Sequence, residues 1–294
     1  MYYQAGRIRR VLKDIKGLIN PDSIEISAYR IREGNFTDGS GEELDDSGWD
    51  IFRCGEQWGG LDKHFWFRTA VKIPEKFRGK TVTFNIKTGA EGDWDALNPQ
   101  FLFYLDGKLQ QGLDVNHREV LIDEEAEPGR VYRIALLAYS GMIDRKSNLF
   151  TSLSVLDREI EKLYYDIDVP LSAAELMDAE DKNRIDILNG LDPAVDMLDM
   201  RKPLSDEFYA SVRKAGRYLK EEFYGRLCGA KSPVVTGIGH THIDVAWLWT
   251  LSQTREKAAR SFSTALNLMK QYPEYKFMSS QPQLYQYVKE DQPE

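Results

Sequence analysis

Between Trp49 and Val169 the chain alternates short apolar runs with turn residues, and this rhythm restricts the fold more than any other feature. Phe65 to Ile73 is an aromatic and β-branched run closed by Pro74. Thr81 to Ile86 alternates apolar and polar residues. Phe101 to Leu105 runs into Asp106-Gly107, a pair that favours the left-handed conformations of a tight hairpin. Arg118 to Ile122, Val131 to Ala138, Leu149 to Val155 and Lys162 to Val169 continue the series. Such a succession of short strands predicts an antiparallel β-sandwich of jelly-roll type, similar to carbohydrate-binding modules.

The flanks read differently. Ile8, Val11, Leu12, Ile15, Leu18 and Ile19 recur at helical spacing, with Arg7, Arg9, Arg10, Lys13 and Lys16 between them. A basic amphipathic helix can lie on a membrane surface. No apolar signal region accompanies it, so packing on its own protein or on a partner subunit is expected. After the strands, Ser172-Ala173-Ala174-Glu175 has the form of a capping box. The apolar positions Leu176, Ile185 and Leu188 are expected to end at Asn189-Gly190. Leu204-Ser205-Asp206-Glu207 opens another helix, with Phe208, Val212, Ala215, Leu219 and Phe223 on one face.

From Pro233 the pattern becomes strand, helix, strand, helix. Val234 to Gly239 suits a buried parallel strand, and Ala258, Phe262, Ala265, Leu266 and Met269 mark a helix. Tyr275 to Ser280 is a second strand, and Leu284, Tyr285 and Val288 begin a second helix. The expected plan is multidomain α+β. Residues 1–40 form an N-terminal helix and arm, 41–170 the β-sandwich, and 171–230 a helical connector. Residues 231–294 form the truncated start of a parallel α/β, barrel-like catalytic domain.

Composition removes several functional classes. A formal net charge of -8 opposes a nucleic-acid partner, because phosphate binding needs a basic surface. No apolar stretch approaches the length of a membrane span, so no membrane partner is expected. The only cysteines, Cys54 and Cys228, are far apart, which fits a reducing compartment and a cytoplasmic location. Asn35-Phe36-Thr37 matches a glycosylation sequon, which carries little weight without a secretion signal. Assembly into a homo-oligomer is left open.

The segment Gly239-His240-Thr241-His242-Ile243-Asp244-Val245-Ala246-Trp247-Leu248-Trp249 carries the chemistry. On a continuing strand His240, His242 and Asp244 would share one face, because side chains alternate with period two. They also fall at the C-terminal end of a parallel strand, where α/β folds place ligands. Imidazole and carboxylate suit zinc, so a metal site is expected here ahead of a structural histidine pair.

From Thr236 to Glu294 the sequence resembles the opening of the catalytic domain of glycoside hydrolase family 38 α-mannosidases, particularly their cytoplasmic and bacterial branch. That branch reads Gly-His-x-His-Ile-Asp-x-Ala-Trp-Leu-Trp at this place. Ala259-Arg260-Ser261-Phe262, Pro273 to Phe277 and Ser279 to Gln283 are similar to it as well. The resemblance implies a zinc-dependent retaining exo-α-mannosidase acting on α-mannosides of glycans or oligosaccharides. His242 and Asp244 would bind zinc, and Trp247 would stack under the sugar. His240 would support the site or serve as an alternative ligand. Zinc would grip the 2- and 3-hydroxyls of the mannose. The family's nucleophile, acid/base residue and last histidine ligand lie downstream, so no catalytic residue is assigned within this chain, and Glu290 and Asp291 are not given those roles. The chain alone is therefore expected to be inactive and to hold zinc weakly.

Two other readings compete. An amidohydrolase-like metal hydrolase would use His240 and His242 and leave Asp244 secondary. A non-catalytic carbohydrate-binding module could present Trp49, Trp58, Trp66 and Trp94 as a stacking platform, although buried aromatic packing is the commoner use of such residues. The loop Gly92 to Asp95 is where an exposed tryptophan is most plausible.

Overall fold

The computed structural model describes residues 2–89, 91, 99–227 and 235–293. The chain divides into two compact units, each built from two separate stretches: 1–22 with 155–235, and 23–154 with 236–294. Both differ from the expected boundaries at 40, 170 and 230.

The first unit is helical, with α1 (Tyr2–Lys16), α2 (Arg158–Glu175), α3 (Lys182–Asp196) and α4 (Asp206–Tyr218). The last continues as π-helix over Leu219–Leu227. Ile8, Leu12 and Ile15 of α1 join one core with Ile160, Leu163 and Ile167 of α2, Leu188 and Leu191 of α3, and Phe208, Val212 and Phe223. The basic face of α1 is used internally too: Arg7 pairs with Asp192 and Asp196, and Arg9 with Asp168 and Glu175. The amphipathic helix thus packs on its own protein, and no helix among the described residues is long and apolar enough to cross a membrane.

Three expectations fail in this unit. Lys162 to Val169 is not a strand but the middle of α2. Asp157 caps that helix by accepting from the Ile160 amide at 3.0 Å, and its buried residues, Ile160, Leu163, Tyr164, Ile167 and Leu171, keep helical spacing. Pro170 sits inside it and cannot donate to the Asp166 carbonyl. The Tyr224 hydroxyl donates to that carbonyl instead, at 2.8 Å. Ser172 to Glu175 is consequently the last turn of α2 rather than a cap. Asn189-Gly190 likewise lies inside α3. A Cβ at Gly190 would come within 2.5 Å of the Phe223 ring, so the missing side chain admits the π-helix instead of breaking α3. Ser205 does cap α4, accepting from the Phe208 amide at 3.2 Å.

The second unit contains the sandwich, whose strands are β1 (Ser23–Glu25), β2 (Ala28–Glu33), β3 (Asp50–Arg53), β4 (Gln57–Gly59), β5 (His64–Lys72) and β6 (Val82–Lys87). There follow β7 (Gln100–Leu105), β8 (Lys108–Leu113), β9 (Glu119–Asp123), β10 (Val131–Tyr139), β11 (Lys146–Asn148) and β12 (Phe150–Val155). One antiparallel sheet runs β3-β2-β5-β10-β7-β8 and the other β1-β12-β6-β9, with β11-β4 as a short ribbon. The sandwich therefore starts at β1, which pairs Ile24 with Leu153 of β12, and it ends at Val155. Asp106 and Gly107, at φ 47° and 77°, make the β7–β8 hairpin turn that the sequence announces.

Both faces of β7 are covered. Phe103 meets Phe84 of the opposite sheet at 4.8 Å between ring centroids, and Phe101 meets Trp58 at 5.5 Å. Leu102 and Tyr104 face the other way, into a cluster with Trp49, Trp66 and Leu137. Trp49, Trp58 and Trp66 are all buried and cannot form a sugar platform. Trp94 and its loop lie outside the described residues.

The C-terminal stretch adds β13 (Gly239–His240), α5 (Leu251–Gln271), β14 (Phe277–Met278) and α6 (Pro282–Asp291). β13 and β14 pair in parallel, Gly239 with Phe277 and His240 with Met278, with α5 as the crossover. Ala258 and Phe262 of α5 pack with Ile243 and Leu284, whereas Leu266, read as apolar face, is exposed.

A second, polar face of α5 lies on β8 and β7. The Gly112 amide donates to the Thr264 hydroxyl at 3.1 Å, and the Asn267 amide donates to Gln111 at 2.7 Å. Arg260, almost wholly buried, donates to the Gln100 side chain. Glu256 accepts from the Asn35 amide and pairs with His64 at 2.8 Å, so the sequon asparagine already has a structural partner. Gly112 permits this approach, since a Cβ there would stand 2.6 Å from the Arg260 Cβ and 2.9 Å from its Cα. Gly112→Ala should therefore destabilise the unit by about 1–3 kcal/mol, the usual cost of overpacking. Urea denaturation would measure this, and an unchanged midpoint would refute the tight seam.

Candidate active-site cleft

β13 ends at His240, and the next residues stay extended without a ladder before bending over Val245 to Trp249. Alternation persists nonetheless. Ile243 is buried beside Ala258, Phe262 and Leu284, whereas His242 and Asp244 are exposed. Their side chains meet: His242 Nε2 lies 3.2 Å from Asp244 Oδ1.

Gln281 holds this stretch in place. Its Oε1 accepts from the Ile243 amide at 2.9 Å, and its Nε2 donates to the Ile243 carbonyl at 2.7 Å. One side-chain amide thus does for Ile243 what a neighbouring strand would do, fixing the peptide between the two polar residues. Ala246 then takes a positive φ of 61°, and its amide donates to the Thr254 hydroxyl at 3.0 Å. This turn leaves Trp247 exposed, with Trp249 edge-on at 5.4 Å and Lys257 Nζ 4.2 Å from the Trp249 ring centroid. Behind β13, a Cβ at Gly239 would strike the Tyr275 ring.

These residues line a cleft of about 540 Å³, within the roughly 300–1,000 Å³ common for small-molecule sites. His240, His242, Asp244, Trp247 and Trp249 line it together with Lys257, Arg260 and Thr264 of α5. The sandwich contributes Gln100, Gly112, Asp114 and His117 to the same lining. Neither Asp114 nor His117 stands out in the sequence, because nothing local marks the β8–β9 turn as facing the histidine motif.

Asp114 Oδ1 accepts from the amides of Asn116 at 2.8 Å and His117 at 2.7 Å, and lies 3.2 Å from His117 Nδ1. Burial works against the Asp114 charge, but these hydrogen bonds outweigh it and hold the carboxyl below its ordinary range. The same carboxylate raises the pKa of His117 despite partial burial. Burial pulls the Arg260 guanidinium down to about 10, so it stays charged at neutral pH.

As a metal site the donor set is partial. His242 and Asp244 offer the nitrogen and oxygen ligands that zinc favours, and they are already adjacent. Among the described residues no third His, Cys, Asp or Glu joins them. His240 lines the cleft but is not the histidine in contact with Asp244. Glu290 and Asp291 are engaged with Arg255 at 2.7 and 2.6 Å.

Residues 232–294 match the N-terminal domain of glycosyl hydrolases family 38, and residues 23–148 match the alpha-mannosidase jelly roll domain. Over these two segments the chain is similar to the family 38 α-mannosidases. Alpha-mannosidase G of Dictyostelium discoideum is 27% identical over 266 residues, covering 82% of this chain and 23% of that protein. Alpha-mannosidase 2C1 of Homo sapiens is 28% identical over 260 residues, with 82% and 24% covered. An alpha-mannosidase of Saccharomyces cerevisiae is 41% identical over 95 residues, 29% of this chain and 9% of its own. The chain thus spans about a quarter of the length of the first two relatives.

Two measurements test this geometry. Gln281→Ala should speed hydrogen exchange at the Ile243 amide by about tenfold, the factor that ~1.4 kcal/mol of lost hydrogen bonding implies. Unchanged exchange would mean that Gln281 is not the clamp. NMR titration should place the His117 pKa above the ordinary value of about 6.5, and Asp114→Asn should bring it down. A midpoint indifferent to that substitution would contradict the assigned cause.

Proposed function

We propose that this chain supplies part of the active site of a zinc-dependent retaining exo-α-mannosidase acting on α-mannosides of glycans or oligosaccharides. The observation that carries the reading is the adjacency of His242 and Asp244 beside an exposed Trp247, inside the segment matched to the family 38 domain. The names of the relatives support the substrate class. The parallel β13–α5–β14 unit supports a barrel-like catalytic domain that begins here.

In this reading His242 and Asp244 hold zinc, with further ligands contributed from outside this chain. Bound there, zinc would supply Lewis-acid attraction for the vicinal 2- and 3-hydroxyls of a mannose. Trp247 offers its ring to the apolar face of the pyranose. Gln281 keeps His242 and Asp244 from swinging apart by fixing the peptide between them. The nucleophile and the acid/base carboxyl of a retaining mechanism are assigned to residues beyond this chain, which by itself is inactive and holds zinc weakly. A cytoplasmic setting is part of the proposal. Burial raises the Cys54 thiol pKa, which suits a structural thiol rather than a reactive one.

Metal analysis of the full-length enzyme separates this reading from an amidohydrolase-like site. Asp244→Asn should lose zinc and activity together, because a neutral amide is a poor zinc ligand. His240→Asn should retain zinc. The reverse pattern would assign the metal to His240 and His242 and sink the mannosidase site.

A further inference from the structure

The sandwich does more than support the cleft. Its β8–β9 turn brings a preset pair of polar side chains, Asp114 and His117, into the cleft that His242, Asp244 and Trp247 also line. We propose that Asp114 and His117 form a hydroxyl-recognising subsite for the second sugar of an α-linked mannoside, on the leaving-group side of the residue held at His242 and Asp244. This rests on the α-mannosidase reading above.

The turn is fixed at the cleft from both ends. At its start, Gly112 is hydrogen-bonded to Thr264, and Gln111 to Asn267. Gly112, having no side chain, also lets the sandwich approach Arg260 of α5 closely. Within the turn, the Asp114 carboxylate takes two backbone amides, and the His117 carbonyl accepts from the Asp114 amide at 3.0 Å. A side chain carried by such a turn needs little ordering when a ligand arrives.

The chemistry suits a sugar. With Nδ1 engaged by Asp114, the remaining His117 nitrogen, Nε2, is the one left to meet a ligand. The raised pKa favours the imidazolium, which makes Nε2 a donor to a hydroxyl oxygen. Asp114 Oδ2 lies 3.3 Å from His117 Nδ1 but takes neither backbone amide, so it can still accept from a neighbouring hydroxyl. The paired rings of Trp247 and Trp249 and the cations Lys257 and Arg260 complete a cleft that combines aromatic faces with polar groups. In the α-mannosidase reading His242 and Asp244 hold the reacting residue, which leaves the Asp114 and His117 portion of the same cleft for its neighbour. An Asx-type turn alone would need only the Asp114 side-chain oxygen, not a histidine ring held beside it.

The test is kinetic, in the full-length enzyme, comparing an α-linked mannobiose with an aryl α-mannoside whose aglycone has no hydroxyls. His117→Ala should lower kcat/KM for mannobiose about tenfold relative to the aryl mannoside, through KM rather than kcat. His117→Gln, which keeps a donor, should recover most of that ratio. Asp114→Asn retains an oxygen for the two backbone amides but loses the charge that orients His117, and it should lower the ratio as well. A ratio unchanged in His117→Ala and Asp114→Asn, or an equal loss on both substrates, would overturn the subsite while leaving the α-mannosidase reading standing. Failure of the unsubstituted enzyme to cleave either substrate would overturn both.

Discussion

A guanidinium is buried where α5 meets the sandwich, and the cleft depends on how that charge is accommodated. Arg260 is almost fully removed from water, which costs several kcal/mol unless the charge finds partners. It finds the Gln100 carbonyl oxygen directly, and the Glu256 carboxylate 3.8 Å away. Asp114 adds a longer-range attraction. Those partners come from β7, from α5 itself and from the end of β8, so the charge is neutralised only when helix and sheet sit in one register. The consequence is geometric, because the same register places the β8–β9 turn in the cleft that the histidine motif lines.

The motif shows a complementary economy. Period-two alternation outlasts the ladder: Ile243 is buried with α5 and α6 residues while His242 and Asp244 stay in the cleft. Gln281 makes this possible by taking both hydrogen bonds of the Ile243 peptide. Two exposed, polar side chains can thus hold one geometry on a segment with no adjacent strand. The positive φ at Ala246 then ends the extended path and turns Trp247 toward the same cleft.

Much of this was legible in the sequence where signals are local. The Asp106-Gly107 hairpin, the strands β5, β6, β7, β9 and β10, the helix start at Ser205 and the motif itself follow from residues close in the chain. What escaped depends on distant partners. Pro170 and the β-branched residues around it argue for a strand, and only Tyr224 and the helical core make α2 a helix. Gly190 resembles a helix stop until Phe223 packs against it. Strand β1 is too short and polar to recognise without β12. The second face of α5 is written in Glu256, Arg260, Thr264 and Asn267, polar residues that an apolar-periodicity reading passes over. Asp114 and His117 were invisible for the same reason, since a turn does not declare what it faces.

The discontinuity of both units bears on the order in which a ribosome delivers them. Helix α1 precedes the rest of its unit in the chain and carries Ile8, Leu12 and Ile15, yet the residues that bury them begin at α2. From Lys16 to Arg158 is 142 positions, 158 minus 16. At roughly 5–20 residues per second, that is on the order of 7–30 s of synthesis during which the apolar stripe has no native cover. The whole sandwich is made in that interval. Its own last contacts, from α5, arrive only after the helical unit is complete. Each unit must therefore hold an unfinished surface while the other is being made.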